Sequence, residues 1–383
     1  MAFELVCTVC GFRHDGSRYR LHCDRCTGLL DIEYDLPPGT GARTVPGLPG
    51  LCRYAPMLPI KDPAGFVTLG EGNTPVIPLH GVGRDLDLRL LFAKLEYFNP
   101  TCSFKDRGNA IQVTVLKDLG ITAAVDIAGG NAGHSLASYC ARAGLKFIGF
   151  GYEDPQSPKI RAIEQTGAEI HWIEGDRRDC SEAMAEFCAA NGILNLRYSQ
   201  SAYFIEGQKT IAYEIAEQLD PLPDHIIAPV GNGSILLGLW KGFREMVEDG
   251  RIQAIPRLHA VQSEAFRPLV AVIEGYDWRP SLHADTVAVG IRISEPPRLA
   301  ALASACQGSG GTAVAVPEAS ILRWYRRLAS SDGIFVEPTS ATVIAGTATL
   351  IQRGRIDKGD RVLTILTGYG LKEPIPESAA TAN

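Results

Sequence analysis

The chain has 383 residues, of which 45% are hydrophobic and 21% charged, and a net charge of -6. That length suits two domains with an appendage, and the composition is that of a folded globular protein. The acidic total excludes a nucleic-acid binder held by a basic stripe, and no apolar run reaches the ~18 residues a membrane-spanning helix needs.

The start, "MAFELVCTVCG", lacks the basic run followed by an apolar stretch that marks a secretory signal. It leads into "CTVCGFRHDGSRYRLHCDRC", where Cys7, Cys10, Cys23 and Cys26 form two C-x-x-C pairs separated by twelve residues. Two such pairs complete a tetrahedral four-thiolate shell with no open position, so a zinc ion here is expected to be structural. Gly11, Thr27 and Gly28 let the backbone turn under the sulfurs. A zinc-ribbon-like segment is therefore expected over residues 1–36, which are too few to bury a core without a staple. A metal-free ribbon and two redox-active pairs are the alternatives; a zinc-dependent nucleic-acid module is disfavoured by the acidic total. His22 is expected at the surface. The other six of the ten cysteines are scattered, which predicts a reduced, cytoplasmic protein.

Proline and glycine crowd residues 37–59 ("PPGTGARTVPGLPG"), which read as a linker. Strands are then predicted over residues 88–95, 122–128, 146–152, 169–174, 225–230, 258–262, 312–316 and 361–366. Amphipathic stretches such as "SPKIRAIEQTGA" and "GQKTIAYEIAEQL" separate most of them. That alternation predicts βαβ units and an α/β fold with parallel sheet. The terminal "ESAATAN" is expected to fray.

Ligands of open parallel sheets gather at the carboxyl ends of strands, so the loops after these runs are the candidate sites. After 122–128, "AGGNAGHS" brings Gly129, Gly130 and Gly133 beside Asn131, which opens a helix with free N–H groups; a plain helix start is the alternative. After 225–230, Gly231, Asn232, Gly233 and Ser234 form a strand-to-helix turn suited to phosphate. There is no Walker lysine, and Leu236 breaks G-x-G-x-x-G, so a phosphate monoester fits better than a nucleoside triphosphate or dinucleotide. After 361–366, "LTGYG" offers the Thr367 hydroxyl, with a simple turn as the alternative. Lys105 in "NPTCSFKDRG" starts a helix after a proline turn; taken alone, it reads as a solvated surface lysine.

In this order, "PTCSFKDRG", the Gly-Asn turn, "GNGS" and "LTGYG" resemble the fold type II pyridoxal-phosphate enzymes and, within them, the threonine synthase family. "LGEGNTP", "EGQKTIAYEI", "TVAVGIRI" and "GIFVEPTSA" agree, so the likeness spans nearly the whole chain, ribbon included. The resemblance implies a two-domain α/β fold, tryptophan synthase beta-like, with parallel and mixed sheets covered by helices. A large cofactor domain would take residues 37–108 and 204–375, a small inserted domain 109–203, and a flexible tail 376–383. It also implies pyridoxal 5'-phosphate as cofactor, an amino-acid substrate, no nucleic-acid or membrane partner, and a homodimer.

By the same matching, Lys105 carries the cofactor as a Schiff base and then serves as general base at Cα. Asn131 would contact the ring's phenolic oxygen. Gly231, Asn232, Gly233, Ser234 and Ile235 would cup the 5'-phosphate, Ile235 through its backbone N–H. Thr367 would face the pyridine nitrogen with a neutral hydroxyl. A lysine attacks an aldehyde only as the free amine, and apolar packing beside Arg107 is expected to favour that form.

The sequence departs from the family on the substrate side. Ala128-Gly129-Gly130 replaces a hydroxyl-bearing pair, and Phe204 in Ser201-Ala202-Tyr203-Phe204 stands where a phosphate-binding arginine is expected. Cys102 and His134 occupy positions that are usually small. A substrate or leaving group other than that of O-phosphohomoserine is therefore expected, unless Lys209, Arg292 or Arg142 supplies the missing charge. β-Replacement on phosphoserine, as in cysteate synthases, and dehydration of a hydroxy amino acid share the same chemistry. A non-catalytic binding protein that kept the fold is the remaining alternative.

Overall fold

The structure, a computed structural model, describes residues 3–34, 44–152 and 155–376. Its strands are β1 (Phe3–Cys7), β2 (Arg13–Asp15), β3 (Leu30–Tyr34), β4 (Val76–Pro78), β5 (Leu91–Leu95), β6 (Ala123–Ile127), β7 (Lys146–Gly151), β8 (Glu169–Trp172), β9 (His225–Pro229), β10 (Arg257–Ser263), β11 (Ala313–Val316) and β12 (Val362–Leu366). Each of the eight predicted runs holds one of β5 to β12. The ribbon strands and the short edge strand β4 had no predicted counterpart. Among the described residues, no helix is long and apolar enough to cross a membrane.

The chain forms two compact units. The first comprises Met1–Pro75, Phe98–Leu222 and Asn232–Pro256. It holds the antiparallel sheet β2-β1-β3 and the parallel sheet β6-β7-β8. Val125, Ile148 and Phe150 of the parallel sheet pack on Cys180, Met184 and Cys188, which share one face of helix Arg177–Asn191. Helices Ala202–Gln218 and Ser234–Glu248 cross closely because glycines stand at the contact. A Cβ at Gly238 would lie 2.5 Å from the Gln208 Cβ, and one at Gly242 would lie 2.5 Å from the Lys209 carbonyl oxygen.

A buried ionic cluster ties the antiparallel sheet to these helices. Lys209 Nζ lies 2.6 Å from Glu206 and 3.0 Å from Glu245, while Lys241 Nζ lies 2.6 Å from Glu206 and 2.9 Å from Asp31, the latter in β3. The Tyr19 hydroxyl, from the loop between the cysteine pairs, bonds Ser201 Oγ at 2.7 Å and Gln112 Oε1 at 3.1 Å. Residues 37–43 of the predicted linker lie outside the described residues, as does "ESAATAN". From Gly50 onward the linker reading gives way. Gly50–Met57 is a 3-10 helix that buries Leu51, Cys52, Tyr54, Ala55 and Met57, because apolar side chains recur between the prolines.

The second unit comprises Val76–Tyr97, Pro223–Gly231 and Arg257–Asn383. Its sheet has the order β11-β10-β9-β12-β5-β4, parallel except for the antiparallel edge strand β4. Central strands β9 and β12 are buried along their whole length, which explains why both read as near-continuous apolar runs. Helix Pro338–Gln352 contributes Val343, Ile344, Ala345 and Leu350 to this core.

At the amino ends of β9 and β10, two buried imidazoles meet: His225 Nδ1 and His259 Nε2 are 2.9 Å apart, and His225 Nε2 is 3.1 Å from Asp360. Burial, reinforced by His225, Arg257 and Arg355, lowers His259 from 6.5 to about 3. His259 is thus neutral when folded and takes a proton near pH 6.5 when unfolded. The unfolded chain then binds more protons, so this contribution to stability is complete above pH 6.5 and is lost as pH falls toward about 3. His259→Gln is expected to remove about 1.4 kcal/mol per pH unit from the acid loss of stability between pH 6.5 and about 3. Urea unfolding at several pH values measures this, and an unchanged slope contradicts it.

Candidate active site

The sulfurs of Cys7, Cys10, Cys23 and Cys26 lie within 4.8 Å of one another, with Cys7 to Cys26 at 3.4 Å and Cys10 to Cys23 at 3.7 Å. A tetrahedral shell with ~2.3 Å metal–sulfur bonds needs edges of about 3.8 Å, so the donor set fits a metal ion. The turns supply the support expected of such knuckles. Val9 N–H and Cys10 N–H point at the Cys7 sulfur (3.4 and 3.5 Å), and Arg25 N–H points at that of Cys23 (3.4 Å). A Cβ at Gly28 would sit 2.9 Å from the Cys7 sulfur. Desolvation raises Cys7, but the N–H groups of Cys10 and Val9 outweigh it and the thiol falls to about 6. The Gly28 N–H favours the Cys26 thiolate, yet its neighbours Cys7 and Cys10 carry it up to about 12. Thiolates this close repel one another, and a divalent cation removes that penalty. His22 is exposed, as expected. The ring at the cluster is instead the buried His14, whose Nε2 is 3.4 Å from the Cys23 sulfur.

Lys105 is the first residue of helix Lys105–Asp118. The turn before it is fixed by Asp106, whose carboxylate accepts from Thr101 N (2.7 Å), Thr101 Oγ1 (2.5 Å) and Ser135 Oγ (2.6 Å). Cys102 sits in that turn at φ +60°, a conformation rare for a side-chain-bearing residue. The Lys105 ammonium faces aromatic rings: it is 4.6 Å from the centroids of Phe104 and Tyr198 and 5.8 Å from that of Phe204. Phe204 is fully buried, and its ring occupies space left open by Gly108, where a Cβ would lie 2.5 Å from it. The aromatic that replaces an expected cation therefore turns its π face toward the lysine.

Arg107, two residues after Lys105 on the same helix, is engaged by a carboxylate. Its guanidinium forms a fork with Glu214 at 2.7 and 2.8 Å, both side chains fully buried, and also bonds Thr74 and Thr210 at 3.1 Å each. Glu214 in turn accepts from Asn73 N at 2.7 Å. The fork neutralises the arginine and secures the "LGEGNTP" loop. Lys209 is committed to Glu206 and Glu245, and the half-exposed Arg292 is paired with Asp285 at 2.9 Å. Arg142 Nε donates to the Thr68 carbonyl at 3.2 Å.

Also in the first unit, Asn131 and His134 are half-buried in the first turns of helix Gly130–Ala143. Asn232, Gly233, Ser234 and Ile235 form the start of helix Ser234–Glu248, with Gly233 at φ +77° and no side chain capping the helix. Its first N–H groups are thus available to an anion. Asn232 Nδ2 donates to the Tyr198 hydroxyl at 3.5 Å.

In the second unit, Gly231 follows β9 and Thr367 follows β12, so both lie at the carboxyl edge of neighbouring strands. A Cβ at Gly231 would come within 3.0 Å of the Gly290 carbonyl oxygen and of Ile291 Cα. Thr367 Oγ1 is 3.1 Å from Ser340 Oγ, which accepts from the N–H groups of Thr367 and Gly368 at 3.0 Å each. Ser340 and Tyr198 were not singled out from the sequence, although Ser340 lies inside the quoted "EPTSA". Within the first unit, the uncapped helix start and the lysine facing aromatic rings are donors of the kind pyridoxal phosphate takes; the second unit has, on its own strands, a glycine cradle and a neutral hydroxyl pair.

The family described as pyridoxal-phosphate dependent enzyme matches residues 67–368. The chain belongs to this family and, within it, is threonine-synthase-like. It is 36% identical to the threonine synthase of Methanocaldococcus jannaschii over 376 residues, covering 96% of this chain and 92% of that protein. With the threonine synthase of Mycobacterium tuberculosis it shares 35% over 343 residues, covering 88% and 92%. Among solved structures, threonine deaminase isoform 2 from Solanum lycopersicum shares the fold with a TM-score of 0.68 at 19% identity, covering 88% of this chain and 90% of that one. Maize serine racemase does so with a TM-score of 0.66 at 17% identity, covering 77% and 89%.

Glu214→Gln leaves the Arg107 charge buried with half its fork. It is expected to lower stability by about 3–5 kcal/mol, read by denaturant unfolding; a loss under about 1 kcal/mol contradicts the assignment of this pair as a principal anchor.

Proposed function

We propose that this chain is a pyridoxal-phosphate-dependent carbon–oxygen lyase or synthase that acts at Cβ or Cγ of an amino acid, with Lys105 as its catalytic residue. The observation that carries this is the setting of Lys105. In a chain of this family, it stands at a helix start, faces three aromatic rings, and is linked through Tyr198 to Asn232 of the uncapped phosphate turn. When bound, the cofactor supplies the electron sink that makes the Cα proton removable. Lys105 holds and moves that proton. Asn131 is assigned to the ring oxygen, and Gly231, Asn232, Gly233, Ser234 and Ile235 to the phosphate through their N–H groups. Thr367, oriented by Ser340, is assigned to the ring nitrogen. A hydroxyl there does not force protonation of the ring.

Two readings of the substrate compete. O-phosphohomoserine conversion to threonine follows the relatives. A different substrate, a hydroxy amino acid without a phosphate, is favoured by Phe204 in place of a cation and by the commitment of Lys209 and Arg292 to carboxylates; phosphoserine, the other alternative, keeps the phosphate that this change leaves without a cation. Replacing a charge-assisted phosphate contact with a ring removes a strong, directional interaction. We further propose that the four thiolates hold a structural zinc ion, that the protein is a homodimer in a reducing cytoplasm, and that residues 109–203 form a small functional domain inserted in 37–108 and 204–375.

Purified protein supplied with pyridoxal phosphate is expected to show a visible absorption band that Lys105→Ala lacks. Incubation with O-phosphohomoserine, phosphoserine, homoserine, serine and threonine, each with and without sulfite or a thiol, assigns the substrate. Phosphate and threonine from the first alone support the relatives' reaction. Silence on both phosphorylated substrates supports the altered site, and absence of the band contradicts the enzyme reading. Metal analysis is expected to find zinc at unit stoichiometry, and a strong chelator to lower thermal stability while leaving the visible band intact; a zinc-free protein of equal stability contradicts the metal assignment.

A further inference from the structure

Two nitrogen donors stand against Tyr198: Asn232 Nδ2 donates to its oxygen at 3.5 Å, and Lys105 Nζ lies over its ring, 4.6 Å from the centroid. A phenol offers one proton and accepts through its lone pairs, so a site that presents it with an ammonium and an amide N–H favours the phenolate. The side chain is held in place from several directions. Tyr198 N donates to Asp126 Oδ2 at 3.0 Å, and its carbonyl accepts from Ser201 N at 3.2 Å. Its ring lies 5.1 Å from that of the buried Phe204. Arg197, immediately before it, is held at φ +37°, a strained value for arginine that aims the next residue.

We propose that the Tyr198 hydroxyl is the acid–base partner of the Lys105 amine, taking the ammonium proton that must leave before the nitrogen can bond the aldehyde carbon of the cofactor. The inference rests on the cofactor reading given under Proposed function. The step balances without an added reactant. The proton passes from Nζ to the phenolate oxygen, giving a neutral amine and a neutral phenol. The amine nitrogen and the aldehyde carbon then form C=N while C=O breaks. The aldehyde oxygen leaves as water, carrying two protons: one delivered by the phenol, which returns to phenolate, and one from the amine, whose nitrogen keeps its second hydrogen and the positive charge.

The charges around Tyr198 support this direction. Burial of the oxygen pushes the phenol up, although the side chain as a whole is only half-buried, and Asp126 from β6 adds to that. The Lys105 ammonium and the Arg177 guanidinium from helix Arg177–Asn191 outweigh both, and the phenol ends below its ordinary range. Tyr152, which hydrogen-bonds Arg177, is the other phenol near that guanidinium. Elsewhere in the first unit the buried phenols Tyr19, Tyr34, Tyr139 and Tyr213 are all pushed well up, so Tyr198 stands apart from them.

A role confined to packing is the competing account, since the ring alone provides a π face for the ammonium. Tyr198→Phe keeps the ring and removes the oxygen. The test follows the rate at which the full chain, freed of cofactor, develops its visible band after pyridoxal phosphate is added, from pH 6 to about 10. At pH 7, Tyr198→Phe is expected to be slower by roughly tenfold or more, with the gap narrowing as rising pH lets solvent hydroxide take the proton in place of the phenol. Equal rates at every pH, or slowing by one constant factor throughout, would overturn the proposal. If the wild type forms no band at any pH, the cofactor reading itself falls, and this inference with it. An ultraviolet difference titration of the cofactor-free wild type needs no variant: it is expected to show a phenol ionising below about 10, and none doing so overturns the proposal.

Discussion

The Arg107–Glu214 fork is the contact on which the placement of Lys105 depends. Two fully buried, oppositely charged side chains meet in bidentate geometry, and the remaining donors and acceptors go to Thr74, Thr210 and the Asn73 amide. Burying charges is unfavourable unless every partner is supplied, so the geometry tolerates little displacement. Lys105 stands two residues before the arginine on the same helix, and Glu214 lies on the helix that also carries Phe204. One ion pair thus sets the lysine against the ring that faces it. The same pair holds the 69–75 loop, whose Glu71 accepts from the Tyr139 hydroxyl at 2.5 Å.

A second consequence concerns what surrounds the amine. A cation at position 204 would repel the Lys105 ammonium across the distance that separates it from the Phe204 ring, whereas an aromatic face attracts it. Phe204, Tyr198 and Phe104 together form an aromatic wall, with the Tyr198 hydroxyl its only polar atom. The cysteine-rich segment reaches the same region of the first unit through Tyr19, which bonds Ser201, three residues after Tyr198, and whose ring lies 5.0 Å from that of Tyr203. The loop between the cysteine pairs is thus docked, through Tyr19, on the segment that carries Tyr198.

Much of this was legible in the sequence, for identifiable reasons. Buried parallel strands such as β9 and β12 read as continuous apolar runs, and the glycines of 231–233 mark a strand-to-helix turn. The four cysteines declare their own proximity through spacing. What could not be read was partnership across long separations: nothing in "DRG" indicates that Arg107 will be neutralised by Glu214, and nothing in "LRYSQ" brings Tyr198 to Lys105. His14 carries no sequence signal of its place at the cluster, since it is His22 that neighbours a cysteine in sequence, while the strand geometry of β2 turns His14 inward. The 3-10 helix Gly50–Met57 was hidden by its prolines, which suggest an open linker even where the residues between them are buried.

The central claim is that the Lys105 amine, among all the lysines of this chain, bonds the aldehyde of pyridoxal phosphate. Borohydride reduction of the cofactor-loaded protein, followed by proteolysis and mass mapping, addresses it directly. The account requires the reduced adduct on the peptide carrying Lys105 and on no other lysine at comparable yield. An adduct at another lysine, or none at all, would contradict it.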